Sequence, residues 1–136
     1  MNNTLLWLEI PVSDFSRALN FYEKVFDITL DVKILLDTKM ALFSKDQIGI
    51  KGSLVETKNH LGSNGIKPIF YVEILNEALL KVQKYGGVVI SEPTLLRQRN
   101  KNGDVIIGVN LIDSQVGYYS EIKDSENNHI YLYSHS

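Results

Sequence analysis

The sequence predicts an α+β chain of two modules, each a strand, a helix and about three further strands. Three observations predict it. Residues 6–26 alternate apolar and polar side chains as a half-buried strand does, then switch to the spacing of an amphipathic helix. The same pattern returns sixty positions later, where Val12 superposes on Val72, Ala18 on Ala78 and Leu19 on Leu79 without a gap. Each strand–helix unit is then followed by short β-branched runs with polar breaks, the signature of a small, mainly antiparallel sheet.

Along the first strand Leu6, Leu8, Ile10 and Val12 face one way, toward the helix, and Trp7, Glu9 and Pro11 the other. Ser13 and Asp14 are N-cap residues, because their short oxygens accept the orphan N–H groups of a first helical turn. Ala18, Leu19, Tyr22, Val25 and Phe26 then form one apolar stripe. Runs at 28–36, 39–44 and 48–56 are read as strands, and 58–65, Lys-Asn-His-Leu-Gly-Ser-Asn-Gly, as a linker. Residues 67–72 open the second module. Its helix, 75–85, sets Leu75, Leu79 and Val82 on one stripe and is stopped by Gly86-Gly87. Strand-like runs follow at 88–90, 105–112, 118–123 and 130–133. One domain, 1–136, is thus expected, with modules at about 1–57 and about 66–136. Residues 94–110 add a hairpin whose tip, Arg97 to Asp104, reads as an exposed polar loop rather than a lid.

Composition narrows the function. With 44% apolar and 22% charged residues the chain is of ordinary globular make-up and long enough to bury a core. Its net charge of −2, with basic residues scattered, offers no stripe for a phosphate backbone, so nucleic acid is not an expected partner. The lack of Cys excludes disulfides, thiolate metal sites and a Cys nucleophile. No secretory leader and no bilayer-length apolar run is found, so a cytoplasmic protein without a membrane partner is expected. No Gly-rich phosphate loop and no Gly-x-Ser-x-Gly elbow occurs.

The run Trp7-Leu-Glu-Ile-Pro-Val-Ser-Asp14 followed by Arg17-Ala-Leu-Asn-Phe-Tyr-Glu-Lys-Val-Phe26 resembles the opening of vicinal oxygen chelate proteins, the superfamily of glyoxalase I, bleomycin-resistance proteins and extradiol dioxygenases. Gly117 to Leu132 resembles its closing motif, a strand, an Asp-Pro-x-Gly-Asn turn and a final strand, with Ser125 in place of Pro and Asn127 in place of Gly. Asn tolerates the left-handed conformation, so the turn is expected to survive. The resemblance implies two paired βαβββ modules whose curled, mostly antiparallel sheets enclose one cleft. It also implies a homodimer.

Metal-dependent members of that superfamily carry His, Glu or Gln on the first and last strands of each half. Carried over, those positions are Trp7, Lys67 (or Ile69) and Tyr131, with the fourth in 49–53, which holds no acid and no His. The family's metal set is therefore absent, no metal or other cofactor is expected, and glyoxalase or dioxygenase chemistry is disfavoured. His60, His129 and His135 lack metal spacing and are read as solvated polar residues.

Alternation places Trp7, Glu9, Lys67, Ile69, Tyr71, Glu121 and Tyr131 around the cleft, with Tyr119, His129 and Tyr133 dependent on register. Such an aromatic wall with few polar groups suits a small aromatic or hydrophobic molecule. Glu9 and Lys67 are either a general base and a cation or, preferably, a salt bridge at the rim. Three functions remain open: a metal-free binding protein, which is preferred; a lyase- or isomerase-type enzyme with Glu9 as base and Tyr131 or Lys67 stabilising charge; and a dimeric interaction domain whose pocket has collapsed around Trp7.

Overall fold

Both strand–helix units nucleate a sheet of the same strand order. The computed structural model describes residues 4–44, 51–99, 101–106, 110 and 112–136. In chain order the elements are β1 (Leu8–Val12), α1 (Phe15–Phe26), β2 (Asp31–Leu35), β3 (Thr38–Phe43), β4 (Gly52–Glu56), β5 (Ile69–Tyr71), α2 (Leu75–Lys84), β6 (Val88–Val89), β7 (Thr94–Leu95), β8 (Gln98–Arg99), β9 (Val105–Ile106), β10 (Tyr118–Lys123) and β11 (His129–Ser134). The first sheet runs β1-β4-β3-β2 and the second β5-β11-β10-β6, with β7 also pairing β10. In each sheet the opening strand lies parallel to the closing one, β1 on β4 and β5 on β11, while the other pairs are antiparallel. The internal repeat is thus a repeat of topology, and the α+β class holds.

Helix α1 begins where the N-cap oxygens predict, with Asp14 Oδ1 accepting from Arg17 N at 3.0 Å. It buries Phe15, Ala18, Phe21, Tyr22 and Val25, a wider stripe than the periodicity alone marks. Tyr22 sits in an aromatic cluster with Phe26 of the same helix, Phe43 of β3 and Phe70 of β5, at ring separations of 4.5–6.3 Å, so one helix face ties both sheets together. Helix α2 buries Leu75, Ala78, Leu79 and Val82. Its N-terminus has no side-chain cap, and Leu75 N instead donates to Ser136 O at 3.1 Å. Gly87, just beyond it, has no room for a Cβ, which would meet Lys123 O at 2.6 Å and Phe21 and Val82 at 2.8 Å. Among the described residues no helix is long and apolar enough to cross a membrane.

Several strand bounds differ from the sequence reading. Leu6 lies ahead of β1 and is exposed, so the helix-facing set is Ile10 and Val12. The run 28–36 gives a strand only from Asp31 and closes in a Leu36-Asp37 turn, both residues with positive φ. In 105–112, β9 takes Val105–Ile106, and Asn110 is a buried turn residue; 107–109 and 111, like Ile48 to Ile50, lie outside the described residues. The short strand Thr94–Leu95 was missed, being too brief to show a period. The ladder β8–β9 stands apart from both sheets. Asn127 adopts φ 64°, as the Gly-to-Asn exchange in the closing turn requires.

On the core side of β10, Ser120 is wholly buried opposite Leu132, and no hydrogen-bond partner for its hydroxyl is found among the described residues. Ser120→Ala is therefore expected to leave stability unchanged or to raise it by up to about 1 kcal/mol, read as a shift in urea midpoint, because it removes a desolvated group with no partner among them.

Candidate functional site

Register places the functional side chains. On β5, β10 and β11 the core takes Phe70, Ser120, Ile122, Ile130 and Leu132. The residues between them point to the opposite face of the second sheet. Pairing then sets Ile69 and Glu121 on either side of Tyr131, and Tyr71 and Tyr119 on either side of Tyr133. Four of the predicted residues therefore share one surface: Ile69, Tyr71, Glu121 and Tyr131. Lys67, two residues before β5, reaches the same surface.

Lys67 Nζ lies 3.8 Å from Glu121 Oε2 and 5.5 Å over the ring of Tyr131. Glu121 Oε2 is also 2.6 Å from His129 Nδ1, across the β10–β11 hairpin. An ionised carboxylate only accepts, so the imidazole Nδ1–H donates and the ring is held by Glu121. Lys67 accordingly pairs with Glu121 and not with Glu9, as the sequence reading preferred. His129, read there as solvated, is part of the cluster. The signal was present in the alternation, since His129 shares the parity of Tyr131 and Tyr133 and is opposite in parity to Ile130 and Leu132.

Beside this cluster Ile69, Tyr119 and Tyr131 with Leu96 and Ile112 line a mainly apolar cavity of about 280 Å³. The rings of Tyr119 and Tyr131 are 6.0 Å apart, near perpendicular. Leu96 immediately precedes the tip, Arg97 to Asp104, that composition assigned to an exposed loop, and Ile112 ends the strand-like run 105–112, so segments flanking that tip are a wall of the cavity. That wall is pinned. Tyr133 Oη donates to Asp113 Oδ1 at 2.7 Å and accepts from Asn110 Nδ2 at 2.8 Å, and His135 Nε2 lies 2.7 Å from Asp113 Oδ2. Desolvation pushes the Asp113 carboxyl up, but the bonds from Tyr133 and His135 outweigh it and hold the acid below its usual range.

The first sheet contributes less than predicted. Trp7 lies just before β1, and its Nε1 donates to Ser53 Oγ at 3.3 Å, which covers the buried Ser53. It lines neither the cavity beside Tyr131 nor a second one of about 240 Å³ at the seam between the sheets. Glu9 and Pro11 line that seam cavity with His129, Asn128 and Ser63. Glu9 is exposed, and no hydrogen bond or ion pair of its carboxylate is found among the described residues.

A divalent ion does not fit the positions that the superfamily uses. Trp7 offers no lone pair, Lys67 brings a positive charge, and Tyr131 is a lone phenol. Among the described residues no three His, Asp or Glu side chains converge as a metal set.

The seam itself is held by two buried acids that the sequence reading passed over. Glu126 Oε1 accepts from Ser13 N, Ser13 Oγ and Asp14 N at 2.8–3.1 Å, and Oε2 accepts from Arg17 Nε and Ser125 Oγ at 2.8 Å. Asp124 accepts from Tyr22 Oη at 2.6 Å and from the backbone of Glu126 and Asn128. Asn128 Nδ2 reaches Pro11 O at 2.8 Å. The closing turn of the second module thereby clamps the strand–helix corner of the first and fixes the face on which the site lies.

No protein-family model and no curated protein matches the chain in sequence. Solved structures do match. A glyoxalase/bleomycin resistance protein from Albidiferax ferrireducens aligns over 97% of this chain and 99% of its own at 13% identity, with a TM-score of 0.63. The fosfomycin resistance protein FosX from Listeria monocytogenes aligns over 100% and 94% at 15% identity, TM-score 0.66. Its complex with Mn(II) and sulfate aligns over 100% and 95% at 12% identity, also at 0.66. With the repeated strand order, these likenesses establish a glyoxalase/bleomycin-resistance-like fold. At such identities they speak for the fold.

Proposed function

We propose that this chain, built on the glyoxalase/bleomycin-resistance fold, binds a small aromatic or hydrophobic molecule on the outer face of its second sheet without a metal ion. The observation that carries the reading is the cavity between Tyr119, Tyr131, Ile69, Leu96 and Ile112, apolar in most of its lining and bordered by a single charged cluster. Cavities of that make-up suit flat apolar ligands with one polar anchor. The FosX structure named above is a complex with Mn(II) and sulfate, whereas the charged cluster beside this cavity carries an ammonium of its own. The test is calorimetric titration of aromatic compounds into protein kept in EDTA. Binding should survive the chelator, and Tyr131→Ala should weaken it about tenfold by removing the stacking wall. Failure of every aromatic probe to bind, or binding restored only by a divalent cation, would refute the proposal.

A homodimer is part of the same reading. Its support is the exposed apolar edge strand β2, with Val32, Ile34 and Leu35, and the adjoining Leu36, which is 91% exposed.

A catalytic reading draws its support from a different residue than Glu9. The 2.6 Å pair of His129 and Glu121 has the geometry of a carboxylate-oriented acid–base imidazole, and His129 lines the seam cavity. Turnover of a bound ligand that is abolished by His129→Gln and kept by Glu9→Gln would favour it over simple binding.

A further inference from the structure

We propose that Lys67 is a built-in cation and that it anchors the carboxylate of an aromatic acid whose ring lies on Tyr131. This rests on the binding reading above and narrows it to a ligand class. The disagreement between the residues and a metal site is its starting point, since a lysine on the segment leading into β5 supplies a positive charge permanently.

Three features of Lys67 point outward to a ligand. Its side chain is only 25% exposed, so most of the stem is packed and the ammonium is held in one place beside the cavity. Its nearest acid, Glu121, stands at 3.8 Å, beyond hydrogen-bond reach, and Glu121 Oε2 is bonded instead to His129 at 2.6 Å. Among the described residues no acceptor is found within hydrogen-bond distance of Nζ. The remaining contact is the face of Tyr131 at 5.5 Å.

Tyr131 is shared by the ammonium and the apolar cavity. A ligand ring packed on Tyr131 and Tyr119 would set a carboxylate substituent within reach of Nζ, forming a charge-assisted hydrogen bond in a site with little water. Glu121 orients the ammonium through the looser ion pair, and its own negative charge disfavours ligands more acidic than a monoanion.

The experiment compares 2-naphthoate with the isosteric neutral 2-naphthamide by calorimetry on the full chain in EDTA. The expected result is naphthoate binding about tenfold tighter than the amide. Lys67→Met and Lys67→Gln, which keep the stem that packs beside Tyr131, should bring naphthoate down to the level of the amide, and Lys67→Arg should keep the preference. Circular dichroism of each variant establishes that the fold is intact. Equal binding of acid and amide, or a preference that survives in a folded Lys67→Met chain, would overturn the anion anchor while leaving the binding reading in place. Binding of neither probe would overturn both. Naphthoate binding that requires added Mn(II) would overturn the built-in cation.

Discussion

A Glu126→Ala chain is expected to unfold more easily by about 3 kcal/mol at neutral pH. The side chain of Glu126 is completely buried, yet it is ionised and surrounded by donors from Ser13, Asp14, Arg17 and Ser125. Burial alone would raise its pKa. The bonds from Arg17, then from Asp14, Ser125 and Ser13, more than reverse this and hold the carboxyl down at about 2 against an ordinary 4.5. A displacement of that size corresponds to about 3 kcal/mol in favour of the charged folded form. Truncation also strands two backbone N–H groups at the start of α1, whereas the half-exposed Arg17 returns to water.

The same network fixes the acid limb of the stability curve. Because the folded pKa of Glu126 is depressed, its contribution is complete above about 4.5 and is lost as the pH falls from there toward about 2. Asp124 has the opposite sign. Its burial outweighs the bonds from Tyr22, Asn128 and Glu126 and raises its pKa above the ordinary 3.8, so protonation on acidification relieves a cost. Urea midpoints should accordingly hold or rise slightly on mild acidification and fall steeply below about pH 4.5. Glu126→Gln should flatten the steep part. A variant whose acid limb matches the parent's would show that the clamp is not the titrating element.

How far the chain could be read before it was folded depended on range. The strand–helix corner at 8–26 is local: alternation, an Asp N-cap and a 3.6-residue stripe coexist in one window, and each is realised. The repeat at sixty positions carried the topology, because two equal sequence patterns built two sheets of equal strand order. Long-range polar contacts were not legible. Glu126 and Asp124 sit in a turn of Ser, Asn and Asp whose composition signals solvent, and only their pairing with residues more than a hundred positions away buries them. The partner of Lys67 depended likewise on the β10–β11 register, which sets Glu121 beside Tyr131 and leaves His129 within reach of it. Trp7, expected at the floor of the cleft, is drawn aside to cover Ser53, a choice that nothing in its own strand reveals. Leu96 was hidden by its polar neighbours, since an isolated apolar residue in a loop carries no period, and the run ending in Ile112 gave no sign of the face it joins.

Gly117→Ala should couple stability to binding. Gly117 is buried immediately before β10, and a Cβ there would collide with the ring and hydroxyl of Tyr133. Its own carbonyl accepts from Leu96 N at 2.9 Å. Forcing Tyr133 aside would break its bonds to Asn110 and Asp113, which hold the stem bearing Ile112, while any backbone shift at Gly117 would pull on Leu96. Overpacking of this kind costs about 2–3 kcal/mol, more than the roughly 1 kcal/mol expected for Tyr133→Phe, which loses the bonds without a clash. Both cavity walls loosen together, so the affinity for an aromatic probe should fall about tenfold or more, without any change at Lys67, Glu121 or Tyr131. Placing Gly117→Ala in a Tyr133→Leu background removes most of the collision. The second substitution should then be far less costly than it is alone, a coupling that a double-mutant cycle in urea would measure. Simple additivity of the two would mean that Gly117 is kept for some reason other than the passage of Tyr133, and that the wall of the cavity is held by contacts elsewhere.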